Sequence, residues 1–367
     1  MRKIGLTLLL CVSLLAVQAQ NKHYRLLVGT YTNPGKSEGI YLYDLAPESK
    51  TCTQKFVAKG VENPSFVALT KDHKYLYSVN QNQTNATISA FSFDEKNGTI
   101  TFINKVDARG EGPCYITVTD HHVITANYNS GSLCVFGRKA NGSLTDAQQV
   151  IQHTGSSVNK DRQSTPHVHQ TIFSPDGKYL AVNDLGTDKI TIYKYNINGT
   201  SRTLILNDSL KVKAGSGPRH VTFSKDGKRV YLIQELDGTL SVMQMNEGKL
   251  KLLQETSVVK KSNIETGAAD IHLSPDGKFL YATNRGTAND ISCFSVGKNG
   301  TLTYKNQVST GGDGPRNFTI SPDGKYVLVG NQKTDNIVIF KRNAITGQLF
   351  PTGQQIKVGA PVCLVFY

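Results

Sequence analysis

The sequence predicts an all-β fold, a seven-bladed β-propeller of four-stranded antiparallel blades. The first observation behind this is a repeat. "FSPDGKYLAVN" (173–183), "FSKDGKRVYLI" (223–233), "LSPDGKFLYAT" (273–283) and "ISPDGKYVLVG" (320–330) are copies of one unit, "LTKDHKYLYSV" (69–79) is a looser copy and "VTDHHVITAN" (118–127) a degenerate one. Their aspartates recur at intervals of 48, 56, 50, 50 and 47 residues. About 50 residues is the length of a propeller blade. The second observation is the pattern inside each unit, and the third is the way the two ends of the chain complete each other.

Each unit reads as four strands. An apolar run comes first, and Ser-Pro-Asp-Gly-Lys then turns the chain, because Pro fixes φ, Asp bonds nearby backbone and Gly accepts positive φ. An alternating strand follows, such as Tyr179-Leu180-Ala181-Val182, and then a third such as "KITIYKYN" or "NIVIFKRN". Asn97-Gly98, Asn141-Gly142, Asn198-Gly199 and Asn299-Gly300 read as type I′ hairpin turns into a fourth strand. No useful helical period appears. Six units lie whole within the chain. For the seventh, "APVCLVFY" (360–367) matches an inner strand, and "YRLLVGT" and "GIYLYDL" match the second and third strands. The last strand should therefore pair with the first and leave no sheet edge open at the seam.

Composition narrows the class. The 367 residues include 33 Gly, 16 Tyr and 14 Phe and are 38% hydrophobic, a globular composition rich in turn formers. Residues 1–19 have a basic start (Arg2, Lys3), an apolar stretch and Val17-Gln18-Ala19, which together read as a cleaved export signal. The expected product is one propeller domain over 20–367, exported to the periplasm. Lipid anchoring at Cys11 is disfavoured by the short apolar run before it. The formal charge is +13, but Lys and Arg are scattered without a basic run. That argues against nucleic acid and for small anionic ligands. After signal cleavage nothing implies a membrane. The five mature cysteines are widely spaced and fit neither a disulfide framework nor a C-x-x-C zinc site.

The start of each inner strand should face the central channel. Aligned across units, these segments are "NPSFVAL", "GPCYITV", "TPHVHQTIF", "GPRHVTF", "AADIHLS", "GPRNFTI" and "APVCLVF". A Pro recurs, and after it come His167, His169, Arg219, His220, Asp270, His272 and Arg316. Polar residues converging from several blades mark a site. A second ring follows the second strands: Gly29, Asn80, Asn127, Asn183, Glu235, Asn284-Arg285 and Asn331. Asn is the default there, Glu235 replaces it and Arg285 is added to it. His167 and His169 would share a strand face, but a metal needs at least one further ligand and none is identifiable. No metal or cofactor is expected. H-E-x-x-H, G-x-S-x-G and P-loop motifs are absent.

These segments together resemble the lactonase family of seven-bladed propellers, which includes propeller-type 6-phosphogluconolactonases and carboxymuconate cyclases. The likeness runs over residues 24–367, in "GSGPRHVTFS", "YLIQEL", "ADIHLSPDGKFLYATNRG" and "GDGPRNFTISPDGKY". It implies a catalytic set of His169, seven residues before its turn aspartate, with Arg219, Glu235 and Arg285. His167, His220, His272 and Arg316 are expected around the substrate. The reaction implied is hydrolysis of a sugar-derived, anionic lactone, with Glu235 or His169 as base and the arginines on the substrate anion and the oxyanion. A lactone-forming cycloisomerase would need the same residues. A non-catalytic exported binder is the reading from another class, favoured by the signal.

Overall fold

The computed structural model describes residues 22–367 apart from 200 and 261. The expected signal over 1–19 lies outside the described residues. Among those residues there are twenty-eight strands and no helix, arranged as seven four-stranded antiparallel sheets. Six sheets use consecutive strands: β4 (Val67–Leu69) to β7 (Thr99–Asp107), β8 (Pro113–Val118) to β11 (Leu144–Gln152), β12 (Val168–Phe173) to β15 (Leu204–Lys211), β16 (Pro218–Phe223) to β19 (Lys249–Ser257), β20 (Ala268–Leu273) to β23 (Leu302–Ser309), and β24 (Pro315–Ile320) to β27 (Leu349–Lys357). The seventh joins β28 (Pro361–Phe366) to β1 (Tyr24–Thr30), β2 (Gly39–Ala46) and β3 (Thr51–Lys59), with Leu26 opposite Phe366. The expected seam is thus present.

The core is divided among the blade interfaces. Seven apolar clusters each combine residues of two neighbouring blades; one joins Tyr231, Ile233 and Leu240 to Leu280, Ala282 and Phe294. The fully buried Tyr77 and Tyr281 reach across with their hydroxyls to the carbonyls of Gly142 and Gly347, at 2.8 and 2.7 Å. Those glycines have φ of 81° and 75°, and a Cβ there would lie 2.1 Å from the Tyr75 ring or 2.3 Å from the Phe279 ring. Turn conformation and close approach therefore both require Gly.

The repeated turn works as its composition suggests. In the unit at 174–179, Ser174 Oγ donates to Asp176 Oδ1 (2.6 Å), Lys178 N donates to the same oxygen (3.1 Å), and Gly177 has φ of 70°. The Asn-Gly turns differ from the type I′ expectation. Asp94 pairs with Thr99 across a four-residue loop, and Gly98 is left-handed while Asn97 is not. A longer loop needs only one such residue to return the chain in register.

Two features of the inner strands position the channel side chains. A register shift follows Pro113, Val168, Pro218, Ala268 and Pro315, so one strand has an extra residue there. Such a bulge redirects the side chains around it. Beyond it, side chains tie neighbouring blades together at the waist of the channel. Gln170 Oε1 accepts from Val221 N at 2.6 Å, Asp270 Oδ2 from Phe318 N at 3.2 Å, and Asn317 Oδ1 from Leu364 N at 2.7 Å.

Candidate active site in the channel

The bulge aligns residues that the sequence alone left loosely related. Val168 pairs with Asp184 just as Pro218 pairs with Gln234 and Pro315 with Asn331. Val168 therefore occupies the recurrent Pro position, and Pro166 lies before the strand. His169, Arg219 and Arg316 are equivalent bulge residues. The second ring also shifts. The default position is Thr30, Asn127, Asp184, Gln234, Asn284 and Asn331, not Gly29, Asn183 or Glu235. Glu235 does not replace an Asn; it stands one residue beyond β17 (Arg229–Gln234), just as Arg285 stands beyond β21 (Phe279–Asn284).

Glu235 is the centre of the mouth cluster. Its Oε2 accepts from Arg219 Nε at 2.8 Å and pairs with Arg285 Nη2 at 3.0 Å, and its Oε1 accepts from Arg162 Nη2 at 2.7 Å. Burial raises its pKa, but Arg285, Arg219 and Arg162 outweigh burial and hold the carboxyl well below the usual range. Arg219 is 1% exposed; its Nη1 donates to the carbonyl of Ala269 in the next blade. Burial and Arg285 pull its pKa down to about 9, so it remains a cation at neutral pH. Arg285 donates from Nε to the Gly267 carbonyl at 2.8 Å. Arg316 has no hydrogen-bonded or ion-paired partner among the described residues. Its guanidinium lies 5.6 Å from the Tyr31 ring centroid, and its charge acts on His169, Arg219 and Arg285. Three guanidiniums thus share one carboxylate, with the Arg316 guanidinium as a fourth beside them.

His169 lies against this cluster. Its Nδ1 is buried without a hydrogen-bond partner. Burial, then Arg219, His220 and Arg316, push its pKa well below the usual imidazole value, so the ring is neutral. It meets the Tyr128 ring edge-on at 5.5 Å and His220 at 5.1 Å. Cys114, at the bulge position of β8, sets its Sγ against the carbonyls of Val168 and His169 at 3.7 and 3.4 Å. Burial pushes that thiol up to about 12, which rules out a thiolate at neutral pH.

His167 and His169 do not form a pair on one strand face. The bulge breaks the two-residue alternation, and His167 precedes β12. Its Nδ1 donates to the Tyr128 carbonyl at 2.9 Å and its ring stacks on Tyr128 at 4.5 Å. His220 touches His169, but it and His272 are tied to Asp270 and not to the carboxylate of Glu235. Both bond Asp270, His220 through Nδ1 at 2.8 Å and His272 through Nε2 at 3.0 Å. Burial and Arg219 push His220 down to about 4, whereas Asp270 outweighs burial and raises His272. Asp270 is held well below the usual carboxylate range: burial opposes this, but His272 and His220 prevail. Among the described residues no group of three His, Cys, Asp or Glu could hold a metal ion.

The sequence reading missed Arg162, Tyr128 and Tyr31. Arg162 lies on the connection between β11 and β12, and the 56-residue interval between turn aspartates marks that insertion. Long connections of this kind often carry function. Tyr31 and Tyr128 each stand one residue past a second strand, as Glu235 and Arg285 do.

Ring and site together define a propeller whose channel mouth presents clustered guanidiniums, a shielded carboxylate and a neutral imidazole. The chain matches the family described as "Lactonase, 7-bladed beta-propeller" over residues 25–366, and it belongs to that family. It is 37% identical to a 6-phosphogluconolactonase of Formosa agariphila over 93% of this chain and 99% of that protein. It is 34% identical to a 6-phosphogluconolactonase of Bacillus subtilis, covering 92% and 97% of the two chains. The solved structure of the periplasmic gluconolactonase of Pseudomonas aeruginosa superposes with a TM-score of 0.89 at 34% identity, covering 94% of this chain and 99% of that one.

Proposed function

We propose that the protein hydrolyses a sugar lactone that carries an anionic group. The observation that carries this reading is the cluster of four guanidiniums around a single carboxylate, beside an unpaired neutral imidazole. Much of the surplus positive charge is withdrawn from water, with Arg219 and Arg285 largely buried, and an anionic ligand would offset it. The lactonase names of the relatives support the reaction class.

His169 is the base in this mechanism. It takes a proton from a water, and the hydroxide forms a bond to the lactone carbonyl carbon. The oxygen that gains the charge faces Arg219 and Arg285, which stabilise it by charge-assisted hydrogen bonds. When the ring C–O bond breaks, the imidazolium returns its proton to the leaving alkoxide and the hydroxy acid is complete. Glu235, clamped by three guanidiniums, is a poor proton acceptor; its role is to hold Arg219 and Arg285 in place. Export accords with the basic and apolar N-terminus and with the periplasmic relative. In this reading the signal over 1–19 is removed and the ring over 20–367 works in the periplasm.

A pH-stat assay of gluconolactone and 6-phosphogluconolactone opening, corrected for spontaneous hydrolysis, tests the assignment. His169→Asn should lower kcat by ~10²–10⁴. Glu235→Gln should cost roughly 10–100-fold through loss of arginine alignment, with the pH profile retained. Wild-type turnover from His169→Asn would exclude this mechanism.

A further inference from the structure

Arg162 reaches the mouth by a different route from the other guanidiniums. Arg219, Arg285 and Arg316 occupy register positions of the blades, whereas Arg162 comes from the connection at 153–167. The backbone of that connection is well anchored. Gln163 is fully buried, and its Nε2 donates to the Leu185 carbonyl and to Asp188 Oδ1, both at 2.8 Å. Arg162 N donates to Asn159 Oδ1 at 3.1 Å, and Ser157 Oγ donates to Asp188 Oδ2 at 2.5 Å.

Among the described residues, the guanidinium itself is held by two side-chain hydrogen bonds. One is Glu235 Oε1, and the other is the Tyr128 hydroxyl, which accepts from Nη2 at 3.2 Å. The Arg162 side chain is 43% exposed, against 2% for Arg219 and 18% for Arg285. Glu235 keeps Arg219 and Arg285 on its other oxygen if Arg162 departs. Arg162 can therefore exchange Glu235 for a ligand anion without leaving a buried charge unpaired, and its exposure lets an anion reach it from the mouth, whereas Arg219 is enclosed.

From this arrangement we infer that Arg162 is the specificity residue of the site: it reads a phosphate-like anionic substituent of the ligand at the mouth and frees Glu235 Oε1 as it does so. This rests on the lactone reading of the channel for its catalytic consequence, but its binding consequence stands alone. The anionic substituent lies at the rim, while the reacting carbonyl lies deeper beside His169.

The test compares wild type, Arg162→Ala and Arg162→Lys in two ways. The first is the ratio of kcat/KM for 6-phosphogluconolactone to that for gluconolactone. The second is calorimetric affinity for the ring-opened acids 6-phosphogluconate and gluconate, which differ only in the phosphate. Arg162→Ala should lower both the kinetic ratio and the affinity ratio by ~10–100-fold, and Lys should restore part of each. Unchanged ratios in Arg162→Ala, or no phosphate preference in the wild type, would overturn the inference. If the wild type opens no lactone while Arg162→Ala still loses the phosphate preference, the hydrolytic reading falls and the role of Arg162 stands. If lactones open normally and the ratios survive the substitution, the reverse holds.

Discussion

The mouth and the waist of the channel are built from adjacent residues of the same strands, but they use their polar groups differently. At the waist, Gln170, Asp270 and Asn317 each bond the backbone of the next blade. One residue earlier, at the bulge, His169 leaves Nδ1 unpaired and Arg316 has only the face of Tyr31. Arg219 bonds both the next blade and Glu235. The waist spends its polar groups on holding the ring together, which leaves several mouth groups uncommitted. A ligand can use those groups without competing against the fold.

The strongest way to break this comparison is to remove what both regions depend on. Deleting 361–367 takes away β28, opens an edge on β1 and uncovers Leu27 and Val67. The truncated chain should fail to give a cooperative ring, seen as loss of the thermal unfolding transition; an unchanged melt would disprove the role of the seam. A smaller effect should come from the waist alone. Asp270→Ala strands His220, His272, Asn317 and Phe318 N. Breaking so buried a cluster should cost about 3–5 kcal/mol, measured by urea unfolding. A loss of activity without loss of stability would move Asp270 from the waist to the mouth in function.

Acidification sharpens the contrast with the smallest effect. His220 titrates at about 4 in the folded ring and near 6.5 when unfolded, so the unfolded chain binds the extra proton. Stability should therefore fall as pH drops from about 6.5 towards 4, by on the order of 3 kcal/mol from this group. His169 is shifted in the same direction. His272 is shifted the other way, so its contribution is present below about 6.5 and is lost as pH rises through its folded value. Asp270 loses its own contribution only in stronger acid. Urea midpoints across this window should decline toward acid, and His220→Asn should flatten the decline. A midpoint that stayed level or rose between pH 6.5 and 4 would overturn the assignment of His220 as a group held neutral by the fold, because the contribution of His272 is already complete below about 6.5.

Most of the fold was legible because a propeller repeats its instructions. Ser-Pro-Asp-Gly-Lys marks the same turn in blade after blade, and the paired ends of the chain complete the count. The site was legible in identity but not in register. Arg219, Glu235, Arg285 and His169 stand out as exceptions in aligned positions, but a bulge adds one residue and shifts every comparison past it. That is why Glu235 looked like a replaced Asn when Gln234 holds that place, and why His167 looked like the partner of His169. Arg162 could not be found by comparing blades, since an insertion has no counterpart in the other units. Only the long interval ahead of Asp176 marked where to look.

The pairing of Leu26 with Phe366 also has a consequence in time. About 340 residues separate the two strands of that contact. A ribosome adds roughly 5–20 residues per second, so β1 waits on the order of 20–70 s before its partner exists. Throughout that interval the earliest strand offers a bare hydrogen-bonding edge to anything nearby. The last blade to be completed is thus the one begun first, and the chain can be threaded, handed over or held open until its final residues arrive.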